Sequence, residues 1–346
     1  MQAIGFQQPG SIDVLINIEQ PTPTPEGRDL LIEVKAVSVN PVDVKVRQNA
    51  KIESDYWKVL GWDAAGIVTA IGPDVTLFQP GDEVFYAGAI DRPGTNAEYH
   101  LVDERIVGMK PKTIDWAEAA ALPLTAITAW EMLFDRLDVK KSVPGAANAI
   151  VIIGGAGGVG SIAIQMARKL TDLTVIATAS RPETIAWVKE MGAHHVIDHT
   201  LPLAQQVAAL GLGAPAFVFS TTQTDQHLEA IVELIVPQGR FGLIDDPMTL
   251  DINRFKRKSI SVHWEFMFTR SFFNTADIAE QGKLLNEVSR LVDENILRTT
   301  LTERYSPIDA ANLKQVHALI ESGKARGKIV LEGFDTPTES SMTKET

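Results

Sequence analysis

The sequence predicts a two-domain α/β protein in which a doubly wound parallel sheet is joined to a partly closed β-barrel. Three observations predict it. A strand, glycine turn, helix and second strand follow one another from Ala149 to Arg181. Short apolar runs then alternate with helical stretches as far as His263, and many short, turn-bounded apolar segments crowd the first 123 residues. At 346 residues with 45% hydrophobic side chains, the chain is too long for one ordinary core and can bury two.

The glycine unit anchors the parallel sheet. After the apolar run Ala149 to Ile153, the chain turns through Gly154, Gly155, Ala156, Gly157, Gly158, Val159 and Gly160. A helix offering Ile162, Ile164, Ala167 and Leu170 as a buried face follows, and the β-branched run Thr174 to Thr178 closes the unit. Gly155, Gly157 and Gly160 hold the G-x-G-x-x-G spacing of a Rossmann dinucleotide site. There the backbone must turn tightly and approach a pyrophosphate, and the helix N-terminus presents N–H groups to the phosphates. Four further runs, Val196-Ile197, Phe217 to Ser220, Arg240 to Ile244 and Ile260 to His263, bring the expected parallel strands to six.

About twenty residues past the glycines, a unit that prefers NAD carries an acidic residue for the ribose 2′-hydroxyl. This chain has Ser180-Arg181. A hydroxyl beside a guanidinium suits a 2′-phosphate, so NADPH is the expected cofactor. The competing reading of Arg181 is an exposed residue at a strand end. His199, just past the third strand, reads equally as a further phosphate contact or as a surface histidine.

In the first third, Ala3 to Phe6, Leu30 to Val39, Gly66 to Ile71, Glu83 to Tyr86, Ala97 to Val102 and Arg105 to Met109 read as barrel strands, with Pro21 to Gly27 as a proline-rich turn. Asp115 to Leu122 and Leu124 to Leu137 read as helices. Beyond Thr275, helical stretches Asp277 to Asn295 and Ile308 to Ser322 lead to a last strand, Lys328 to Leu331, expected to return to the barrel. The predicted domains are therefore 1–124 with 272–334, and 125–271. A polar tail, 335–346, is expected to be disordered.

Composition narrows the function. A net charge of −12 argues against nucleic acid or an anionic membrane as partner. The absence of cysteine excludes disulfides, thiolate zinc sites, Fe–S clusters and cysteine nucleophiles. No secretory signal opens the chain and no apolar run reaches membrane-spanning length, so a cytoplasmic protein is expected.

Several segments together resemble one family: SVNPVDVKVR (Ser38 to Arg47), GWDAAGIVTAIG (Gly61 to Gly72), GDEVFY (Gly81 to Tyr86), LPLTAITAWEML (Leu122 to Leu133), GGAGGVGSIAIQMA, ATASR, MGAHHVIDH, HWEFMFTR (His263 to Arg270) and GKIVLEG. The chain resembles the medium-chain dehydrogenase/reductases, in particular their quinone oxidoreductase-like branch and the zinc-type alcohol dehydrogenase-like proteins. The resemblance implies a GroES-like barrel built from both chain ends, a Rossmann domain between, a cleft for the nicotinamide and a homodimer. Zinc-dependent members carry a cysteine in the segment matching Val37 to Asp43 and a His-Glu pair after the glycine matching Gly61. Here stand Ser38, Val39 and Asn40, and Trp62-Asp63, so no catalytic zinc is expected.

Without metal, hydrogen-bond donors must stabilise the oxyanion formed when hydride reaches a substrate. An enone or quinone gives a less basic oxyanion than an alkoxide, which favours a quinone, an enone or a related small carbonyl compound as substrate. The candidate donors are Asn40, or alternatively a turn residue before Pro41, and Tyr56, or alternatively a packing residue. Asp43 either takes part in the chemistry or organises the loop. Thr128 matches a family position near the nicotinamide ribose, with a core-facing helix threonine as the rival. Trp264, Phe266 and Phe268 read as cleft walls. Lys328, with Lys324 and Arg326, is a candidate for the cofactor phosphate or a solvated loop residue. Alcohol or aldehyde dehydrogenation, and NADPH binding without catalysis, are the alternative functions.

Overall fold

The computed structural model describes residues 1–53 and 56–334; the expected polar tail, 335–346, lies outside the described residues. The chain forms two compact units. One comprises Met1–Pro123, Asn274–Asn286 and the residues from Leu301 onward; the other comprises Leu124–Phe273 and Glu287–Thr300.

The second unit holds the six-stranded sheet, wholly parallel. Its order is His195–Ile197, Thr174–Thr178, Ala147–Ile153, Pro215–Ser220, Arg240–Leu243 and Ser261–Trp264. The first three strands run outward from Ala147–Ile153 on one side and the last three on the other, so the order reverses beside the first strand. That is the switch point at which doubly wound sheets bind ligands, outside the carboxyl ends of the strands. Ile150 to Ile153 and Pro215 to Ser220 are buried throughout, as strands covered on both faces must be. Val151, Val218, Phe241 and Phe255 belong to one core cluster, and the last two rings stack with centroids 5.4 Å apart.

The boundary expected at residue 272 holds only in part, because 287–300 belongs to the second unit. The helix Glu280–Asp293 divides at Asn286. The reason is local pairing: the Gln165 side chain accepts the Arg298 N–H at 2.9 Å and donates to the Arg298 carbonyl at 3.2 Å.

In the first unit, a seven-stranded sheet is organised on Asp29–Ser38, which pairs with Ala64–Ile71, Tyr99–Asp103 and the closing strand Lys328–Glu332. Phe6, Leu30, Ile32, Val34, Val68, Phe85 and Tyr86 are buried there. Three strands escape the sequence pattern: Ile16–Glu19, Lys58–Val59 and Leu301–Tyr305. Neither the first nor the last has a buried residue, although Ile16–Glu19 alternates apolar and polar side chains; they are held by backbone pairing to Gln2–Phe6 and to Lys328–Glu332.

Pro41–Asn49 is a helix, where the sequence suggested only a turn. Its start is written in the order Asn-Pro-x-Asp. Asn40 has extended backbone at the N-cap, Pro41 fits the first turn, and the Asp43 carboxylate accepts the Asn40 N–H at 2.8 Å. At its other end the buried Arg47 holds it against the helix Ala310–Glu321. Its guanidinium donates to the Gly10 carbonyl at 3.1 Å, stands 3.1 Å from His317 Nδ1, and pairs with Glu321. Burial, with Arg47 beside it, pushes His317 down to about 3, so this contact is to a neutral ring.

Candidate functional site

In the second unit the glycine turn has the form a dinucleotide requires, position by position. Gly154 has φ +79°, and its N–H donates to Thr178 Oγ1 at 3.0 Å. A Cβ on Gly160 would stand 2.3 Å from the Gly154 carbonyl, so that glycine is demanded by helix-on-strand packing. A Cβ on Gly157 would meet only that same carbonyl, at 3.5 Å, an ordinary contact. Nothing in the protein requires the missing side chain at Gly157; close approach of a phosphate does. Gly157 is the N-cap of the helix Gly158–Leu170 and supplies no side-chain cap, which leaves the helix start open to an anion.

The carboxyl ends of the next two strands carry the remaining cofactor candidates. Ser180 Oγ lies 3.3 Å from His199 Nε2, so the hydroxyl and imidazole meet. Arg181 follows Ser180 as the N-cap of the helix Pro182–Glu190, with its side chain 39% exposed and its Nε 3.1 Å from Glu183. Glu183 is itself largely exposed, and an exposed pair of this kind is worth only about 0–1 kcal/mol, so it yields readily to a doubly charged phosphate. The turn and this trio fit a nicotinamide dinucleotide.

Two cofactor candidates belong elsewhere. Thr128 is buried inside the helix Pro123–Trp130 and donates to the Leu124 carbonyl at 2.7 Å, the arrangement of a core threonine. Lys328 is buried in the first unit, where its ammonium donates to Asn40 Oδ1, to Asp63 Oδ2 at 3.0 Å and to the Val39 carbonyl at 3.1 Å. Its three protons are spent and none is left for a phosphate.

That lysine defines the polar centre of the first unit. Asn40 Nδ2 donates to Asp63 Oδ2 at 2.8 Å and to the Ser38 carbonyl at 3.5 Å, while its Oδ1 accepts from Lys328. Asn40 therefore has no donor left for a substrate oxyanion; it is a link between Asp63 and Lys328. Asp43 caps the helix that begins beside them and keeps a second oxygen, Oδ1, buried without a partner. Burial pushes the Asp43 carboxyl up to about 7. The Asn40 N–H and the Lys328 charge oppose the rise, and the Asp63 charge adds to it. Its position and bonding are those of a loop organiser. Tyr56 is 46% exposed, about half covered and half open to solvent. Asp63 is the member of this centre that sequence reasoning passed over, having weighed it only as a missing zinc ligand.

The donor chemistry of this centre does not fit zinc. Cysteine is absent from the chain, and the Asp63 carboxylate is already matched by an ammonium that would repel a divalent cation. Among the described residues no group of three or more His, Asp or Glu side chains is placed to hold a metal ion.

Of the expected aromatic walls, Trp264 and Phe266 are about half exposed, whereas Phe268 is buried and meets Phe266 edge to face. Glu265, between them, points inward onto Arg136.

Comparison with known proteins agrees with both units. Residues 26–112 match the alcohol dehydrogenase GroES-like domain, and 191–331 match the zinc-binding dehydrogenase domain. A zinc-type alcohol dehydrogenase-like protein of Staphylococcus aureus strain MSSA476 is 41% identical over 96% of this chain and 99% of its own. The chain belongs to the medium-chain dehydrogenase/reductase superfamily. A solved structure from Rhizobium etli CFN 42, assigned by name to the zinc-dependent alcohol dehydrogenases, is 71% identical. It covers 97% of this chain and 99% of its own, with a TM-score of 0.95. Within the superfamily, 2-methylene-furan-3-one reductase of Solanum lycopersicum is 37% identical over 58% of this chain and 52% of its own. The quinone oxidoreductase of Coxiella burnetii is 27% identical over 96% of this chain and 99% of its own, with a TM-score of 0.79. The protein is thus an oxidoreductase of this superfamily. No helix among the described residues is long and apolar enough to cross a membrane.

Proposed function

We propose that this oxidoreductase is an NADPH-dependent reductase of quinones, enones or related conjugated carbonyls that works without zinc. The observation that carries the cofactor choice is the Ser180–His199 contact with Arg181 beside it, at the strand end where an NAD-preferring site carries an acidic side chain. The substrate class is supported by the named activities of the tomato and Coxiella relatives. It is also supported by the Lys328–Asp63 pair, which leaves no donor set for a Lewis acid.

When bound, NADPH supplies the hydride. The chain's own contribution is to seat the pyrophosphate against the open N-terminus of Gly158–Leu170 and to hold the 2′-phosphate on Ser180, Arg181 and His199. Lys328, Asp63 and Asn40 fix the N-cap of Pro41–Asn49 and so the backbone around it, which makes them positioning residues. The half-exposed Tyr56 is the remaining candidate for delivering, through its phenol, the proton that an enolate or hydroquinone anion takes up.

The deciding experiment titrates NADPH and NADH separately, then follows NADPH oxidation against quinones, enones, aldehydes and ketones. Tighter NADPH binding with turnover confined to quinones and enones is the expected result. Turnover of simple aldehydes alone returns the alcohol dehydrogenase reading, and binding without turnover on any substrate returns a non-catalytic role.

A further inference from the structure

The second unit contains a buried acidic pair that the proposed function does not use. Glu131 opens the π-helical turn Glu131–Arg136, and Glu265 directly follows the strand Ser261–Trp264. Both are almost wholly buried, at 1% and 3% exposure. Each carboxyl has one oxygen held by an arginine: Glu131 Oε1 accepts from Arg270 at 2.5 Å, and Glu265 Oε2 accepts from Arg136 at 2.7 Å. Each keeps its other oxygen, Glu131 Oε2 and Glu265 Oε1, buried with no donor from the chain, although the two side chains stand within hydrogen-bonding reach of each other. Two carboxylates cannot bond to one another; a carboxylic acid and a carboxylate can.

We propose that Glu131 and Glu265 share one proton, and that this acid–carboxylate bridge is the positioning device that holds the aromatic segment from Trp264 to Phe268 at the carboxyl end of the sheet.

Charge balance supports the shared proton. The groups that face the pair are Arg136 and Asp135 on its own turn and Arg270 on the short helix Thr269–Phe272, which also reaches Asp135 at 3.2 Å. Three acidic groups against two guanidinium groups leave one negative charge in excess, and one proton removes it. His263, on the strand before Glu265, adds nothing to this balance, because burial and then the nearby Arg240 and Arg136 hold it below its ordinary value. The direction of titration agrees: burial first, and then the facing Glu265, push Glu131 well above the carboxyl range.

The bridge also has a place to act. Glu265 stands between Trp264 and Phe266, both about half exposed, and a residue anchored inward fixes the outward direction of its neighbours along an extended chain.

The test compares wild type, Glu131→Gln and Glu131→Ala. Glutamine keeps an oxygen for Arg270 and offers Glu265 a permanent donor in place of the proton. A proton bound in the folded state but not in the unfolded one makes the folding constant fall roughly tenfold per pH unit as pH rises. That fall, measured by denaturant titration from pH 7 towards about pH 9, is expected in wild type relative to Glu131→Gln. Parallel pH profiles for the two proteins overturn the shared proton. Amide hydrogen exchange from Trp264 to Phe268 reads the positioning role: it should quicken in Glu131→Ala and stay at the wild-type rate in Glu131→Gln at pH 7. Equal exchange in all three overturns the positioning.

A third arm rests on the reductase reading: Glu131→Ala should raise KM for a flat quinone with kcat retained, and Glu131→Gln should restore KM. The stability and exchange arms need no substrate, so failure of the reductase reading leaves them standing.

Discussion

Replacing Lys328 by methionine tests the first unit at its most interdependent point. The perturbation keeps the aliphatic stem and removes an ammonium that serves Asn40 Oδ1, Asp63 Oδ2 and the Val39 carbonyl. What remains is a buried carboxylate that has lost the Lys328 charge and two buried acceptors short of that donor. Breaking a buried ion pair from one side costs about 3–5 kcal/mol, a large share of the roughly 5–15 kcal/mol that keeps a domain folded. Amide exchange along Asp29–Ser38, which pairs with the strand that begins at Lys328, reads the loss within this unit. The double variant Lys328→Met with Asp63→Asn removes both charges and should recover most of the loss, because a buried pair replaced as a whole is close to neutral. A single variant that costs less than about 1 kcal/mol, the value of an exposed pair, would refute the reasoning. So would a double variant no more stable than the single one.

Other outcomes follow from the same geometry. Asp43 is raised in the folded state to about 7 from the 3.8 of an ordinary aspartate. Its proton therefore contributes stability that is fully present below pH 4 and is lost as pH rises through 7. Asp43→Asn should flatten that part of the denaturation profile, by up to about 4 kcal/mol across the window. Arg181→Asp should weaken NADPH binding by about 10- to 100-fold, the value of one charge-assisted hydrogen bond, and leave NADH nearly unchanged, as read by calorimetric titration. Gly157→Ala should fold normally and bind cofactor poorly, whereas Gly160→Ala should destabilise the second unit before any ligand is added. Circular dichroism with cofactor titration separates the two.

Much of the fold was legible because its signals are local. The strand, glycine turn, helix and strand from Ala147 to Thr178 need only about thirty consecutive residues, and their apolar runs are buried as a two-sided sheet requires. The helix after Asn40 was legible in principle, since Asn-Pro-x-Asp is a helix start, but its proline invited a turn. The exposed strand Leu301–Tyr305 carries no pattern of its own and exists through its partner. The site was less legible for the same reason. Ser180, Arg181 and His199 follow from strand ends that can be counted along the chain. Lys328 meets Asn40 across 288 residues, and Arg270 meets Glu131 across 139. Nothing in a local spacing marks such partners, so Lys328 read as a cation for the cofactor phosphate or a loop, and Asn40 as an oxyanion donor or a turn residue. The π-helical turn that carries Glu131 was equally hidden, because its apolar spacing is that of an ordinary helix.

The return of the closing strand to Asp29–Ser38 has a consequence for biosynthesis. Asp63 leaves the ribosome 265 residues before Lys328, its buried counter-ion, a delay on the order of tens of seconds at ordinary rates of synthesis. Through that interval the strand edge later covered by Lys328–Glu332 has no partner, and the Asp63 carboxylate must stay hydrated. Leu124–Phe273 contains all six strands of its own sheet and meets no such wait. The nascent chain is therefore expected to close its middle before its beginning, with the amino-terminal unit completed last, when Lys328 reaches Asp63.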